Sequence, residues 1–146
     1  MSDPADIPPF TRDGLITLAR EMATYGTERD SPTRSVMALL GDRWTSLILL
    51  VLATGELRHA ELRRILSRLA FEQAISQRML TLKLRALERD GFVVRRVSDH
   101  VPPKVGYDLT PLGMELVSQT RQIIAWTTAH TCEIHQARAA YDRAGE

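Results

Sequence analysis

The sequence predicts a mainly α-helical protein with a small β-hairpin. Apolar residues recur at three- and four-residue spacing through most of the chain, which is the period of helices buried on one side. After Gly91 the pattern changes to two β-prone runs, residues 92–97 and 105–109, separated by a segment rich in turn-forming residues. Helical spacing returns after Thr110-Pro111, a cap followed by a first-turn proline. One hairpin therefore lies between helical segments.

Three helices are predicted in the first third of the chain. The first spans Asp13 to Tyr25 and ends at Gly26. The second opens at Ser31-Pro32, where serine is a favoured N-cap and proline suits the first helical position. Its predicted inward residues are Val36, Met37, Leu39 and Leu40. The third, Trp44 to Leu52, is strongly apolar but much shorter than the ~20 residues that span a bilayer, which predicts a buried core helix.

Two more helices precede the hairpin. A short amphipathic helix carries apolar residues inward, namely Ala60, Leu62, Ile65 and Leu66. Ser76 is predicted to be the N-cap of the next helix, which runs to about Asp90 and stops at Gly91. At ~100° per residue this helix has a leucine side, made of Leu80, Leu84 and Leu87. Its opposite side carries Arg78, Arg85 and Arg89, with Leu82 as an apolar exception.

The charge of the chain is unevenly distributed. The 146 residues, 44% of them hydrophobic, suit one compact domain and carry a net charge of only +1. Between Gly55 and Lys104, however, there are 11 basic and 6 acidic residues, a local charge of +5. Such a segment is typical of phosphate binding, although solvated basic helices without a nucleic-acid partner share the feature.

Several function classes are not expected. The single cysteine, Cys132, leaves no intramolecular disulfide, paired-cysteine zinc site or CxxC redox motif. His130 and His135 are five residues apart, which does not suit a metal site on one helical face. No catalytic motif is recognised. We therefore expect a cytoplasmic protein that is not an enzyme, with no cofactor, no metal and no membrane association.

The order of the predicted elements suggests a DNA-binding fold. Two helices followed by a β-hairpin form the winged helix-turn-helix arrangement, in which the second helix enters the major groove and the hairpin touches the DNA backbone or minor groove. The candidates for base reading are Ser76, Gln77, Arg78 and Thr81. The candidates for phosphate contact are Arg63, Arg64, Arg85, Arg89, Arg95, Arg96 and Lys104.

Other interpretations of these residues stay open. The helical arginines could pair with Glu88 or Asp90 on a solvated helix, and winged helices also serve as protein-interaction modules. A small-molecule-responsive protein without DNA contact is a further alternative. The residues that would suit an apolar effector pocket are Met22, Tyr25, Met37, Trp44 and Trp126. We favour the interpretation that these five are core residues.

Three stretches resemble the HxlR family of bacterial winged-helix regulators. Residues 40–49 (LGDRWTSLIL) look like its opening signature, residues 74–91 (AISQRMLTLKLRALERDG) its recognition helix, and residues 101–113 (VPPKVGYDLTPLG) its wing. The resemblance covers roughly Val36 to Leu116. It implies a homodimer, joined through the first and last helices, that binds double-stranded DNA at a roughly palindromic operator. We expect this member to be a repressor.

Departures from the family pattern concern sensing and docking. Ser31 stands where many relatives carry a cysteine, so thiol sensing at that position is not expected. His59 stands where relatives bury an aromatic residue, and Ser67 to Gln73 lengthens the connection between the two helices. We predict an N-terminal arm and helix (1–30), a winged helix-turn-helix domain (31–111) and a C-terminal dimerisation helix and tail (112–146).

Overall fold

The computed structural model describes residues 9–26, 28–70 and 74–145. Its helices are α1 (Pro9–Tyr25), α2 (Pro32–Leu40), α3 (Arg43–Leu52), α4 (His59–Leu69), α5 (Gln77–Arg89), α6 (Pro111–Ala129) and α7 (Thr131–Ala144). Its strands are β1 (Leu57–Arg58), β2 (Val93–Val97) and β3 (Val105–Leu109). The predicted fold class, mainly α-helical with a small β wing, is confirmed.

The chain divides into two compact units, one ending at Asp42 and the other beginning at Arg43. In the first unit, the predicted cap of α2 is confirmed: Ser31 is buried and its Oγ accepts a hydrogen bond of 3.3 Å from the Arg34 backbone N–H. The inward placement predicted for Met37 is wrong, since α2 has no buried residue and Met37 is 65% exposed. Two helices offer too little surface to enclose it. The three-part division predicted from the sequence remains a prediction.

The core of the second unit is formed by the apolar sides of α3, α4 and α5. The side chains with less than 2% exposure include Ile48, Leu49, Leu52, Leu62, Leu66, Leu80, Leu84 and Leu87. The prediction that α3 is a core helix is therefore confirmed. Against this core pack the sheet and the first half of α6.

The sheet has three antiparallel strands in the order β1-β3-β2. The predicted hairpin is confirmed, with Val93 opposite Leu109 at its base and Val97 opposite Val105 at its tip. Strand β1 was not predicted, because two residues are too few to show the alternating pattern of a strand. It pairs Leu57 with Tyr107 and brings the start of α4 to the edge of the hairpin.

The C-terminal region forms two helices where the sequence predicts one. Helix α6 begins at Pro111 with Thr110 as its N-cap, and the helical path breaks at His130. Near the break, the hydroxyls of Thr127, Thr128 and Thr131 each donate to the carbonyl four residues earlier, at 2.9–3.0 Å. Such side-chain bonds compete with the helical backbone pattern and tend to bend helices.

No single helix within residues 9–26, 28–70 and 74–145 is long and apolar enough to cross a membrane. The neighbouring helices α2 and α3 reach the necessary length and composition only when they are counted together.

Candidate nucleic-acid interface

Helix α5 has two chemically opposite sides. Leu80, Leu84 and Leu87 are at most 1% exposed, which confirms the leucine side predicted from the spacing. Arg78, Arg85 and Arg89 lie on the other side and are exposed. Within the part of the chain that the structure describes, none of these three arginines forms an ion pair, although Glu88 and Asp90 are close in sequence. Their charge is therefore presented to solvent.

One apolar residue lies in the middle of the arginine side. Leu82 is 48% exposed, four residues after Arg78 and three before Arg85. Because helical residues three and four apart are neighbours on the surface, its side chain lies among these charged groups. The predicted exception in the helical pattern is thus confirmed. Leu82 was not among the residues predicted to contact DNA. An apolar residue on the polar side of a helix is the sequence feature by which it could have been selected as a candidate.

The first turn of α5 presents two of the predicted base-reading side chains to solvent. Ser76 caps the helix, its Oγ accepting a hydrogen bond of 3.0 Å from the Met79 backbone N–H, as predicted. Gln77 and Arg78 follow it and are both exposed. An exposed helix N-terminus also carries partial positive charge and unpaired N–H groups, which suit a phosphate group.

Two side chains of α4 hold the start of α5. His59 Nε2 lies 3.0 Å from Thr81 Oγ1, and the Thr81 hydroxyl donates to the Gln77 carbonyl at 2.9 Å. One turn along α4, Arg63 Nε donates to the Ile75 carbonyl at 3.1 Å. Thr81, predicted to read bases, and Arg63, predicted to contact phosphate, thus both form hydrogen bonds inside the protein.

The imidazole of His59 is half-buried between α4 and the sheet. Its ring meets the ring of Tyr107 on β3 edge to face, with centroids 6.4 Å apart. Burial lowers the pKa of His59 below its usual value of 6.5, the charge of Arg63 lowers it further, and a backbone hydrogen bond to Gln77 partly opposes these effects. From the sequence, His59 is noted only as a residue standing where relatives have an aromatic one. Its hydrogen bond to Thr81 could not be predicted, because the two residues meet only in the folded chain.

The two arginines of β2 lie on opposite faces of the sheet, because side chains alternate along a strand. Arg95 is directly opposite Tyr107, and both line a cleft of about 310 Å³ with Arg85 and Glu88 of α5. Arg96 instead forms an ion pair with Asp108, with 3.1 Å between Nη1 and Oδ2. Arg95 is therefore placed beside the arginine side of α5, and Arg96 already has an anionic partner.

The remaining candidates for phosphate contact lie on α4 and in the tip of the hairpin. Arg64 is exposed on α4 beside Glu61 and Arg68. Lys104 is exposed in the hairpin tip, where its backbone N–H donates to Ser98 Oγ at 2.8 Å. This bond shapes the tip and leaves the ammonium group of Lys104 at the surface.

The five residues predicted as core or effector-pocket residues do not form a buried cluster. Met22, Tyr25, Met37 and Trp126 are 49–65% exposed, so their interpretation as core is wrong for the single chain. Trp126 stacks on His130 with ring centroids 4.5 Å apart. Trp44 is half-buried and lines an apolar groove of about 400 Å³, whose other residues are Arg43, Ser46, Leu47, Leu50, Leu69 and Ala70. An effector pocket remains a prediction.

The sequence and the structure are similar to those of known transcriptional regulators. The family model for the HxlR-like helix-turn-helix matches residues 39–135. The regulator YdeP of Bacillus subtilis (strain 168) is 36% identical over 109 residues, which cover 75% of this chain and 80% of YdeP. YtfH of Escherichia coli (strain K12) is 36% identical over 73% of this chain and 80% of its own length. The reduced form of YodB from B. subtilis superposes with a TM-score of 0.58 at 36% identity, covering 66% of this chain and 89% of YodB.

The lowered pKa of His59 predicts a pH dependence of stability. The folded chain binds a proton at His59 less readily than the unfolded chain, so the stabilisation is complete above about pH 6.5 and is lost as the pH falls from there through the lowered pKa. Urea unfolding at about pH 7.5 and about pH 5.5, at one protein concentration, measures this loss. We expect wild type to lose more stability on acidification than His59→Gln, in which the other three histidines still titrate. An equal loss in the two proteins would contradict this assignment.

Proposed function

The chain belongs to the HxlR-like helix-turn-helix family of transcriptional regulators, and we propose that it acts as a sequence-specific repressor, binding double-stranded DNA as a homodimer. The observation that carries this proposal is the exposed side of α5. Arg78, Arg85 and Arg89 are presented together on one side of a helix whose other side is fixed in the core. A helix of this kind has the size and charge to enter a major groove.

Direct base reading is assigned to the first turn of α5, from Ser76 to Arg78, because the Thr81 hydroxyl is already bonded within the protein. Gln77 and Arg78 are exposed there, and these side-chain types pair in a bidentate manner with adenine and guanine respectively. Ser76 keeps its hydroxyl proton free to donate, because its Oγ acts as acceptor in the cap. Leu82 adds an apolar surface that suits the methyl group of thymine.

Phosphate contacts are assigned to the arginines around this helix. Arg85 and Arg95 line the same cleft, together with Tyr107, a residue type whose hydroxyl also contacts phosphate groups. Arg64 on α4, Arg89 on α5 and Lys104 in the hairpin tip are further exposed positive charges. Arg63 and Arg96 contribute less directly, since each already has a partner within the protein.

The proposed dimer is supported by apolar surface that the single chain leaves exposed. On α6 the buried residues Leu116, Val117 and Thr120 are followed along the same helical side by Ile123 and Ile124, which are 53% and 46% exposed. Helix α1 exposes a similar set: Leu15, Ile16, Leu18, Met22 and Tyr25. Exposed apolar surface of this extent favours association.

Two copies related by a twofold axis would present two α5 helices to an operator with inverted half-sites. Binding at such a site within a promoter represses transcription by excluding the polymerase.

The central test is selection of duplexes from a random pool, followed by binding measurements across a series of salt concentrations. We expect the wild-type protein to enrich an inverted repeat and to bind it more weakly as salt rises. Arg78→Ala should reduce the preference for the selected duplex over random DNA by about tenfold. Arg95→Ala should weaken binding to both duplexes alike and lower the salt slope by about 1.

Arg96→Ala is the matched control for Arg95→Ala. It removes the same charge from the neighbouring position, and its effect on the salt slope should be smaller because Arg96 is already paired with Asp108. A wild-type protein that selected no sequence and bound random DNA without salt dependence would refute the proposed function, and would favour a protein-interaction module.

The thymine contact assigned to Leu82 predicts a response to removal of a single methyl group. Replacing each thymine of the selected duplex in turn by uracil should identify one position in each half-site where wild-type affinity falls about threefold to tenfold. Leu82→Ala should bind the thymine and uracil duplexes equally at that position. If Leu82→Ala kept the wild-type preference for thymine, the methyl contact would belong to another residue.

The apolar end of α6 predicts that a single charge there prevents dimerisation. Ile123→Glu places a carboxylate in the proposed contact, and because Ile123 is exposed in the single chain, the fold of the monomer should survive. Light scattering should show a dimer for wild type and a monomer for Ile123→Glu, with unchanged helical circular dichroism. Gln122→Glu adds the same charge on the opposite side of α6 and should remain dimeric. Dimerisation of Ile123→Glu would move the interface elsewhere.

A further inference from the structure

We propose that His59 is a positioning residue for DNA recognition, which sets the orientation of the first turn of α5 through a hydrogen bond to Thr81. This inference rests on the proposed function and adds to it a residue that lies outside the DNA-contacting set. It assigns His59 a task that an apolar aromatic side chain at the same place does not perform.

The hydrogen bonds around His59 form a short chain that ends at a base-reading residue. His59 Nε2 lies 3.0 Å from Thr81 Oγ1, and the Thr81 hydroxyl uses its single proton to donate to the Gln77 carbonyl at 2.9 Å. Because the bond to Gln77 uses that proton, the proposal assigns the proton of the bond between His59 and Thr81 to Nε2 of the imidazole.

The surroundings of the ring favour the same protonation state. Burial of the ring and the guanidinium of Arg63 on the same helix both lower the pKa of His59 and oppose a second proton, while the hydrogen bond to the Gln77 backbone partly offsets them. The Tyr107 ring packs against His59 from β3. The charged groups of the adjoining cleft are Arg85, Glu88 and Arg95. A neutral imidazole with one directed N–H is thus held between α4, α5 and the sheet.

The bond between His59 and Thr81 affects DNA recognition because Thr81 lies next to the residues proposed to read bases. Thr81 is one helical turn after Gln77, and Arg78 lies between them on the surface that faces the major groove. The second link from α4, between Arg63 and the Ile75 carbonyl, lies just before the N-cap. With one anchor on each side of the first turn, Gln77 and Arg78 are held in one orientation. Bidentate pairing with a base requires such accuracy.

The test compares variants of the full-length protein on the duplex that wild type selects and on a random duplex. His59→Phe keeps an aromatic ring beside Tyr107 and removes the donor, whereas His59→Gln keeps an N–H donor at similar reach. Thr81→Val keeps the shape of the side chain and removes its hydroxyl. Ser67→Ala is the matched control, because the hydroxyl of Ser67 bonds only to the Arg63 carbonyl within α4.

The expected result is a loss of discrimination without a loss of general affinity. His59→Phe and Thr81→Val should each lower the ratio of selected to random binding by about threefold to tenfold, the range of one hydrogen bond. The double variant should lose no more than either single variant, because both break the same bond. His59→Gln should stay within about twofold of wild type, and Ser67→Ala should equal it. Random-duplex affinity and the salt slope should be unchanged in all of them.

Three results would overturn the inference: a wild-type ratio for His59→Phe, an equal loss for His59→Gln, or multiplied losses in the double variant. An imidazole nitrogen NMR spectrum of the wild-type protein gives a check that needs no variant, since a proton on Nδ1 in place of Nε2 also contradicts the proposal. If wild type selected no sequence at all, the proposed function would fail and this inference with it. If wild type selected a sequence and His59→Phe read it equally well, only the role of His59 would fail.

Discussion

The leucine row of α5 is the packing contact on which the proposed DNA-binding surface depends. Leu80, Leu84 and Leu87 are almost completely enclosed in the core of the second unit. Burying a leucine side chain contributes about 1.5–3 kcal/mol, so rotating this helix about its axis would cost several kcal/mol. Because the leucines define the inner side of α5, the arginines on its opposite side must face solvent. A core constraint thereby determines what the surface presents.

The leucines fix the rotation of α5 about its axis, but they do not by themselves fix the position of its N-terminal end. Hydrogen bonds from α4 help to fix that position. The bonds from His59 and Arg63 connect α4 with the N-terminal end of α5 and with the residue just before its cap. Direct bonds between the helices fix their geometry irrespective of the length of the connection between them.

The exposed apolar residues of α6 are not covered within one chain, unlike the leucines of α5. A row of leucines on α5 is covered within one chain, whereas Ile123 and Ile124 on α6 continue a buried side beyond the point where α3 and the sheet cover it. Apolar surface of this kind has a free-energy cost in water, which a second copy would remove in the proposed dimer. The same physical effect thus builds the core of one chain and favours the pairing of two.

Much of this arrangement was determined by neighbouring residues and was therefore predictable from the sequence. The caps at Ser31, Ser76 and Thr110, the hairpin, and the inner side of α5 all follow from spacing and residue type within a few positions. The pairing of β1, the ion pair of Arg96 with Asp108, and the exposure of Met37 and Trp126 did not follow from such patterns. Neither did the bond between His59 and Thr81, residues 22 positions apart. Local periodicity records which side of a helix is apolar, but which partner each side chain meets depends on segments that only folding brings together.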